Sequence, residues 1–150
     1  MESDEVRRAL RDADRAEAAP WTDYPPTPRW YPPAVGVWAA LVTLAFGEID
    51  SHLRVAVVLA LVAVEIGFVR WYVRHRGGVM PTGAAPREFR GAIVGFVVAA
   101  ALIVIGTWVL VTTVDGWVGA AVALVTTTVA IGWYERAYAE AANRARERLG

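Results

Sequence analysis

The chain has 150 residues, 56% of them hydrophobic, with 15 basic side chains balanced by 15 acidic ones and no cysteine. Apolar content on that scale, gathered into long runs, exceeds what a soluble core of this size needs and makes the bilayer the solvent. Zero formal charge argues against a nucleic-acid partner, and the missing cysteine removes disulfides, thiolate metal sites and thiol nucleophiles together.

Residues 1–19 are highly charged, with a thin apolar stripe of Val6, Ala9, Leu10 and Ala13. They predict a short helix that ends before Pro20 and lies either in solvent or along a membrane surface. The next stretch, Trp21 to Pro33, gathers five of the chain's eight prolines with two tryptophans and two tyrosines. Proline forbids a continuous helix there, and amphipathic rings suit the headgroup region, so an extended interfacial collar is expected.

Four apolar segments follow, at about 33–47, 53–73, 89–113 and 117–134. The first is short, about 22 Å at 1.5 Å per residue, and relies on Trp30 and Tyr31 to anchor one end. The first and second are joined at Glu48–Asp50, the third and fourth at Val114–Gly116, which predicts two αα-hairpins. Pro86 is placed just inside the start of the third. The longest interior connection, 74–90, is glycine-rich, but it lacks the spacing of a phosphate-binding loop, and the chain contains no lysine to serve one. It reads as a flexible basic loop that touches anionic lipid headgroups. After the fourth span nothing breaks the helix until Gly150, and Glu140 with Arg144 forms an i,i+4 pair.

All fifteen basic residues are arginine: five precede the first span, one (Arg54) follows the first turn, five run from Arg70 to Arg90, and four follow the fourth span. By the positive-inside rule the two ends and the middle loop are cytoplasmic, and the acidic turns with Glu48, Asp50 and Asp115 face out. The expected division is a cytoplasmic helix and collar over 1–32, a transmembrane domain over 33–134 and a cytoplasmic helical extension over 135–150. The fold class is therefore an all-α integral membrane protein of the cell membrane, with four spans. A weak repeat pairs Gly36 and Gly47 with Gly95 and Gly106.

Small residues recur at helical spacing: Gly91, Gly95 and Ala99 in the third span, Gly119, Ala123 and Thr127 in the fourth, Gly36 and Ala40 in the first. Such faces let helix backbones approach where no hydrophobic effect acts between lipid-facing helices. Thr126, Thr127 and Thr128 are expected to bond carbonyls of their own preceding turn. Trp38 and Trp108 fall deeper than the interfacial tryptophans and are expected to pack in a core.

Glu65 is the single carboxylate inside the second span. It shares a helix stripe with Arg54, Val58, Leu61, Phe68 and Tyr72. A charged side chain at depth costs about 2.5–3.5 kcal/mol on insertion scales unless it is neutralised or paired, so Glu65 is expected to face protein or a water cavity. It is either a structural acid, with Arg70 and Arg74 as possible ion-pair partners, or a coupling acid for protons or cations. No nucleophile with a base, no metal set and no cofactor motif can be assembled. The sequence predicts a non-enzymatic scaffold or accessory subunit that contacts membrane lipids and associates with itself or with a partner membrane protein. The alternative is a small oligomeric proton-coupled transporter or channel using Glu65.

Overall fold

The computed structural model describes residues 2–76, 81 and 83–149, and every regular element among them is helical. The helices are α1 (Glu2–Thr22), α2 (Tyr31–Gly47), α3 (Ser51–Arg76), α4 (Arg90–Thr113) and α5 (Gly116–Leu149), with a 3-10 turn at Arg87–Phe89 ahead of α4. α3, α4 and α5 are each long and apolar enough to cross a membrane, whereas α2 is a shorter apolar helix of 17 residues.

Local chemistry sets the boundaries. Pro32 and Pro33 fall in the first turn of α2, where a missing N–H would have no intrahelical partner in any case. Asp115 accepts hydrogen bonds through Oδ1 from the Trp117 (2.7 Å) and Val118 (3.3 Å) backbone N–H groups, capping the start of α5. At the other short connection, Arg54 donates through Nε and Nη2 to the Ile49 carbonyl, at 3.2 and 2.9 Å. Pro86 stands ahead of the 3-10 turn, one turn earlier than expected, with extended backbone (φ −54°, ψ 152°). Residues 77–80 and 82, in the expected flexible loop, lie outside the described residues.

α5 is the hub. It packs antiparallel to α2 along most of that helix, and also against α4, the 3-10 turn and α1. Small residues make the α2–α5 approach possible. Gly36, Ala40 and Thr43 are buried on α2, and Gly116, Gly119, Ala120 and Ala123 on α5. A Cβ on Gly36 would sit 2.6 Å from the Leu124 carbonyl oxygen, and one on Gly47 would sit 3.0 Å from the Gly116 Cα. Among the described helices the backbone of α3 approaches α2 alone, and its apolar span is 0% buried.

The arginine-rich ends of α1 and α5 form a second packed region, which corrects the expectations for residues 1–33. α1 does not stop before Pro20 but runs to Thr22. Proline there removes a single late N–H, while Thr22 Oγ1 donates to the Ala18 carbonyl (3.3 Å) and the Asp23 N–H to that of Ala19 (2.9 Å). Burial holds this last turn in place: Trp21 lies 5.3 Å from Phe89 between ring centroids and joins a cluster with Ala141, Ala142 and Ala145. Trp21 is therefore a core residue, and the stretch without regular structure shrinks to residues 24–28. Val6 and Leu10, on the first half of α1, stay exposed.

Polar bonds lock the same region. Tyr138 donates its hydroxyl to the Trp21 carbonyl (2.8 Å), Arg146 donates to the Thr22 carbonyl, and Arg15 donates through Nε and Nη2 to the Leu149 carbonyl at 3.1 and 2.9 Å. Guanidinium groups thus satisfy orphan carbonyls at the C-terminal ends of both helices. Arg148 reaches Glu88 at 2.7 Å. Burial opposes ionisation of Glu88, but its own backbone N–H and the bonds from Arg148 and Arg87 prevail and hold the carboxyl below its ordinary range. The expected Glu140–Arg144 pair is not among the ion pairs of the described residues.

Candidate functional site

Glu65 lies on the side of α3 that looks toward α2. The α3 residues with partial cover are Arg54, Val57, Val58, Leu61 and Phe68, and Tyr72 is buried at 4% exposure. Steps of three and four residues connect most of these to Glu65. Glu65 is itself exposed rather than enclosed as expected, and it is one of the residues lining a groove of about 320 Å³ between the two helices, with Tyr31, Ala34, Val35 and Trp38 from α2 and Val64, Phe68 and Val69 from α3. Aromatic rings close the arginine-rich end of this groove: Trp30–Phe68 at 6.2 Å, Tyr31–Phe68 at 6.3 Å and Tyr31–Tyr72 at 5.6 Å between centroids.

Neither Arg70 nor Arg74 reaches Glu65, which has no ion pair or hydrogen bond among the described residues. Helix geometry gives the reason. At about 100° per residue, positions five and nine further on are rotated by roughly 140° and 180°, so both guanidiniums leave α3 on its far side. No basic residue occurs between positions 55 and 69, and in the other apolar segments the only one is Arg90, at the very start of the third. Among the described residues the carboxylate has no ion-pair partner.

The far side of α3 carries a feature that its high apolar content conceals in the sequence. Ala56, Ala60, Ala63 and Gly67 follow one another at spacings of four, three and four, and the line continues to Arg70 and Arg74. The packed stripe of α2, Gly36, Ala40, Thr43 and Gly47, has the same spacing. The three alanines on α3 are exposed, and a Cβ on Gly67 would meet nothing within 4 Å.

The other small residues singled out by spacing have distinct surroundings. Gly119 and Ala123 are buried in the α2–α5 seam, where a Cβ on Gly119 would come within 2.7 Å of Val111. Gly95 lies under the Trp133 ring, with 2.6 Å between a would-be Cβ and Cη2. Ala99 is half-buried, and Gly91 faces open space. Gly106 is also open while Gly47 abuts Gly116, so the glycines of the apparent repeat do not occupy matching contacts. Thr126 and Thr128 bond the Val122 and Leu124 carbonyls of their own helix, both at 2.7 Å. Trp108, expected in a core, is 62% exposed on α4, whereas Trp38 lines the Glu65 groove.

At the acidic end, Asp115 is engaged as the α5 cap, and the Glu48 side chain lies over Gly116 so closely that a Cβ there would collide with it. No group of three or more His, Asp or Glu side chains comes together among the described residues. The chain matches no protein-family model, no curated protein and no solved structure at a significant level.

Proposed function

We propose that the chain is a four-span protein of the cell membrane, arranged as two hairpins with both termini cytoplasmic, and that it works without catalysis as a scaffold or accessory subunit for a partner membrane protein. The observation that carries this reading is α3. It is an apolar helix of spanning length with no burial in its span, and it presents an open small-residue stripe at the spacing that α2 uses to approach α5. In a bilayer such a stripe favours close contact with a second helix over loose lipid chains. α2 is counted as a span because Trp30 and Tyr31 extend its 17 residues toward the ~30 Å of a hydrocarbon core.

Purification from native membranes in mild detergent tests the reading. A stoichiometric membrane partner, or a second copy, should accompany the wild type and be lost in Ala60→Leu. A monomer without companion in both would contradict it. Orientation is read separately: single cysteines at Asp14 and Arg144 should label from the cytoplasmic side and one at Ser51 from outside, the reverse pattern refuting the assigned topology.

The uncompensated Glu65 carboxylate in its groove supports a second reading, a small proton-coupled transporter or channel. Glu65→Gln should then fold normally and abolish proton-dependent flux in proteoliposomes. Flux equal to wild type at unchanged pH dependence excludes it.

A further inference from the structure

Every tyrosine of the chain, Tyr24, Tyr31, Tyr72, Tyr134 and Tyr138, lines one cavity of about 120 Å³ at the arginine-rich end of the helices. They come from the extended segment, the start of α2, the end of α3 and two successive turns of α5. Neighbouring rings stand at contact distance: Tyr31–Tyr72 at 5.6 Å, Tyr134–Tyr138 at 6.0 Å and Tyr24–Tyr138 at 6.2 Å between centroids. Glu135 is the one carboxylate in the lining, half-buried and without a hydrogen bond or ion pair among the described residues. Among the described residues no arginine or histidine takes part in the lining.

An interfacial belt of tyrosines would scatter its rings around the outside of the bundle. Here the rings of four segments converge on one partly open space beside an acid with no ion-pair partner among the described residues. Ring faces carry negative quadrupole potential, and a carboxylate adds a full charge of the same sign. Anions are repelled from such a site. A compact, weakly hydrated cation is attracted from several sides, and the volume suits an ammonium head rather than a large ligand. Burial above all, then Tyr134, Tyr24 and Glu135, push the Tyr138 hydroxyl above its ordinary range, so it remains a neutral donor to the Trp21 carbonyl.

We propose that this five-tyrosine cavity, with Glu135, binds an alkylated ammonium group, either the head of a lipid or a soluble amine. The site is separate from α3's outward face and does not depend on the accessory-subunit reading.

Tetramethylammonium chloride is the probe, titrated by calorimetry into the full-length protein in a maltoside detergent, with potassium chloride as the ionic control. Wild type should show saturable binding that potassium does not reproduce. Glu135→Gln should weaken the apparent affinity by about tenfold, and Tyr31→Leu by a similar factor, whereas Tyr31→Phe, which keeps the ring, should stay within about twofold of wild type. Competition identifies the source: short-chain phosphatidylcholine displacing the probe at far lower concentration than choline marks a lipid head, and equal potency marks a soluble amine. A wild-type titration indistinguishable from potassium overturns the proposal whatever the variants do. So does a Tyr31→Phe loss as large as that of Tyr31→Leu, since recognition would then run through the hydroxyl.

Discussion

α3 and α5 are both apolar enough to span a membrane, and by mean hydropathy α3 is the more apolar of the two, yet α5 is the hub of the fold and α3 buries none of its span. Apolarity places a helix in the bilayer, where lipid chains solvate it as well as another helix would. What decides packing is whether small residues let a second backbone approach. α5 presents Gly116, Gly119, Ala120 and Ala123 to a matching face on α2. α3 presents an equivalent stripe, Ala56 to Gly67, that nothing among the described residues covers.

Substitution at the glycines that face α5 should show the contrast with α3. Gly36→Leu drives a branched side chain into the Leu124 carbonyl and Thr128, backbone and short side chain that cannot yield. Its thermal or denaturant unfolding should show a loss of about 3 kcal/mol or more, or no folded protein at all. Gly95→Leu meets only the edge of the Trp133 ring, which can rotate away, so a smaller loss of about 1–3 kcal/mol is expected by the same measurement.

The packed region of the chain ends sharpens the contrast through pH. Because the folded-state Glu88 carboxyl is held below its unfolded value of about 4.5, its contribution to stability is present above that pH and lost as pH falls through the lower folded value. Unfolding midpoints should therefore drop with acidification below about pH 4.5, with less drop in Glu88→Gln. At neutral pH that variant should lose about 1 kcal/mol at most, as expected for a pair with one partly exposed partner. An unchanged acid dependence in Glu88→Gln would assign the effect to other carboxyls. The smallest effect belongs to α3: Gly67→Leu should leave the unfolding of the isolated chain within about 0.5 kcal/mol of wild type. A larger loss would mean that the outward face of α3 packs within the chain after all.

Much of the helical framework is legible in the sequence, because the apolar runs, the prolines ahead of the first of them and the short Val114–Gly116 turn are local signals. The stripe through Arg54, Val58, Leu61, Phe68 and Tyr72 also identifies the side of α3 that meets α2. Residues 1–33 mislead, because the fate of Pro20 and Trp21 depends on Phe89 and on alanines more than a hundred positions away. The Arg70 and Arg74 assignment rests on distance along the chain and overlooks rotation about the helix. The α3 stripe has a periodic signature, but alanines are easily lost among valines and leucines. The tyrosine cavity has no sequence signature at all: positions 24, 31, 72, 134 and 138 share no period, and only tertiary packing gathers them.

The most direct test of the comparison is a photoreactive amino acid placed at Ala60 on α3 and, separately, at Leu102 on the exposed face of α4, irradiated in native membranes. The account predicts a discrete protein–protein adduct from Ala60 and lipid adducts alone from Leu102. Lipid adducts alone from both positions would contradict it, leaving α3 a helix solvated by the bilayer on every side that α2 does not cover.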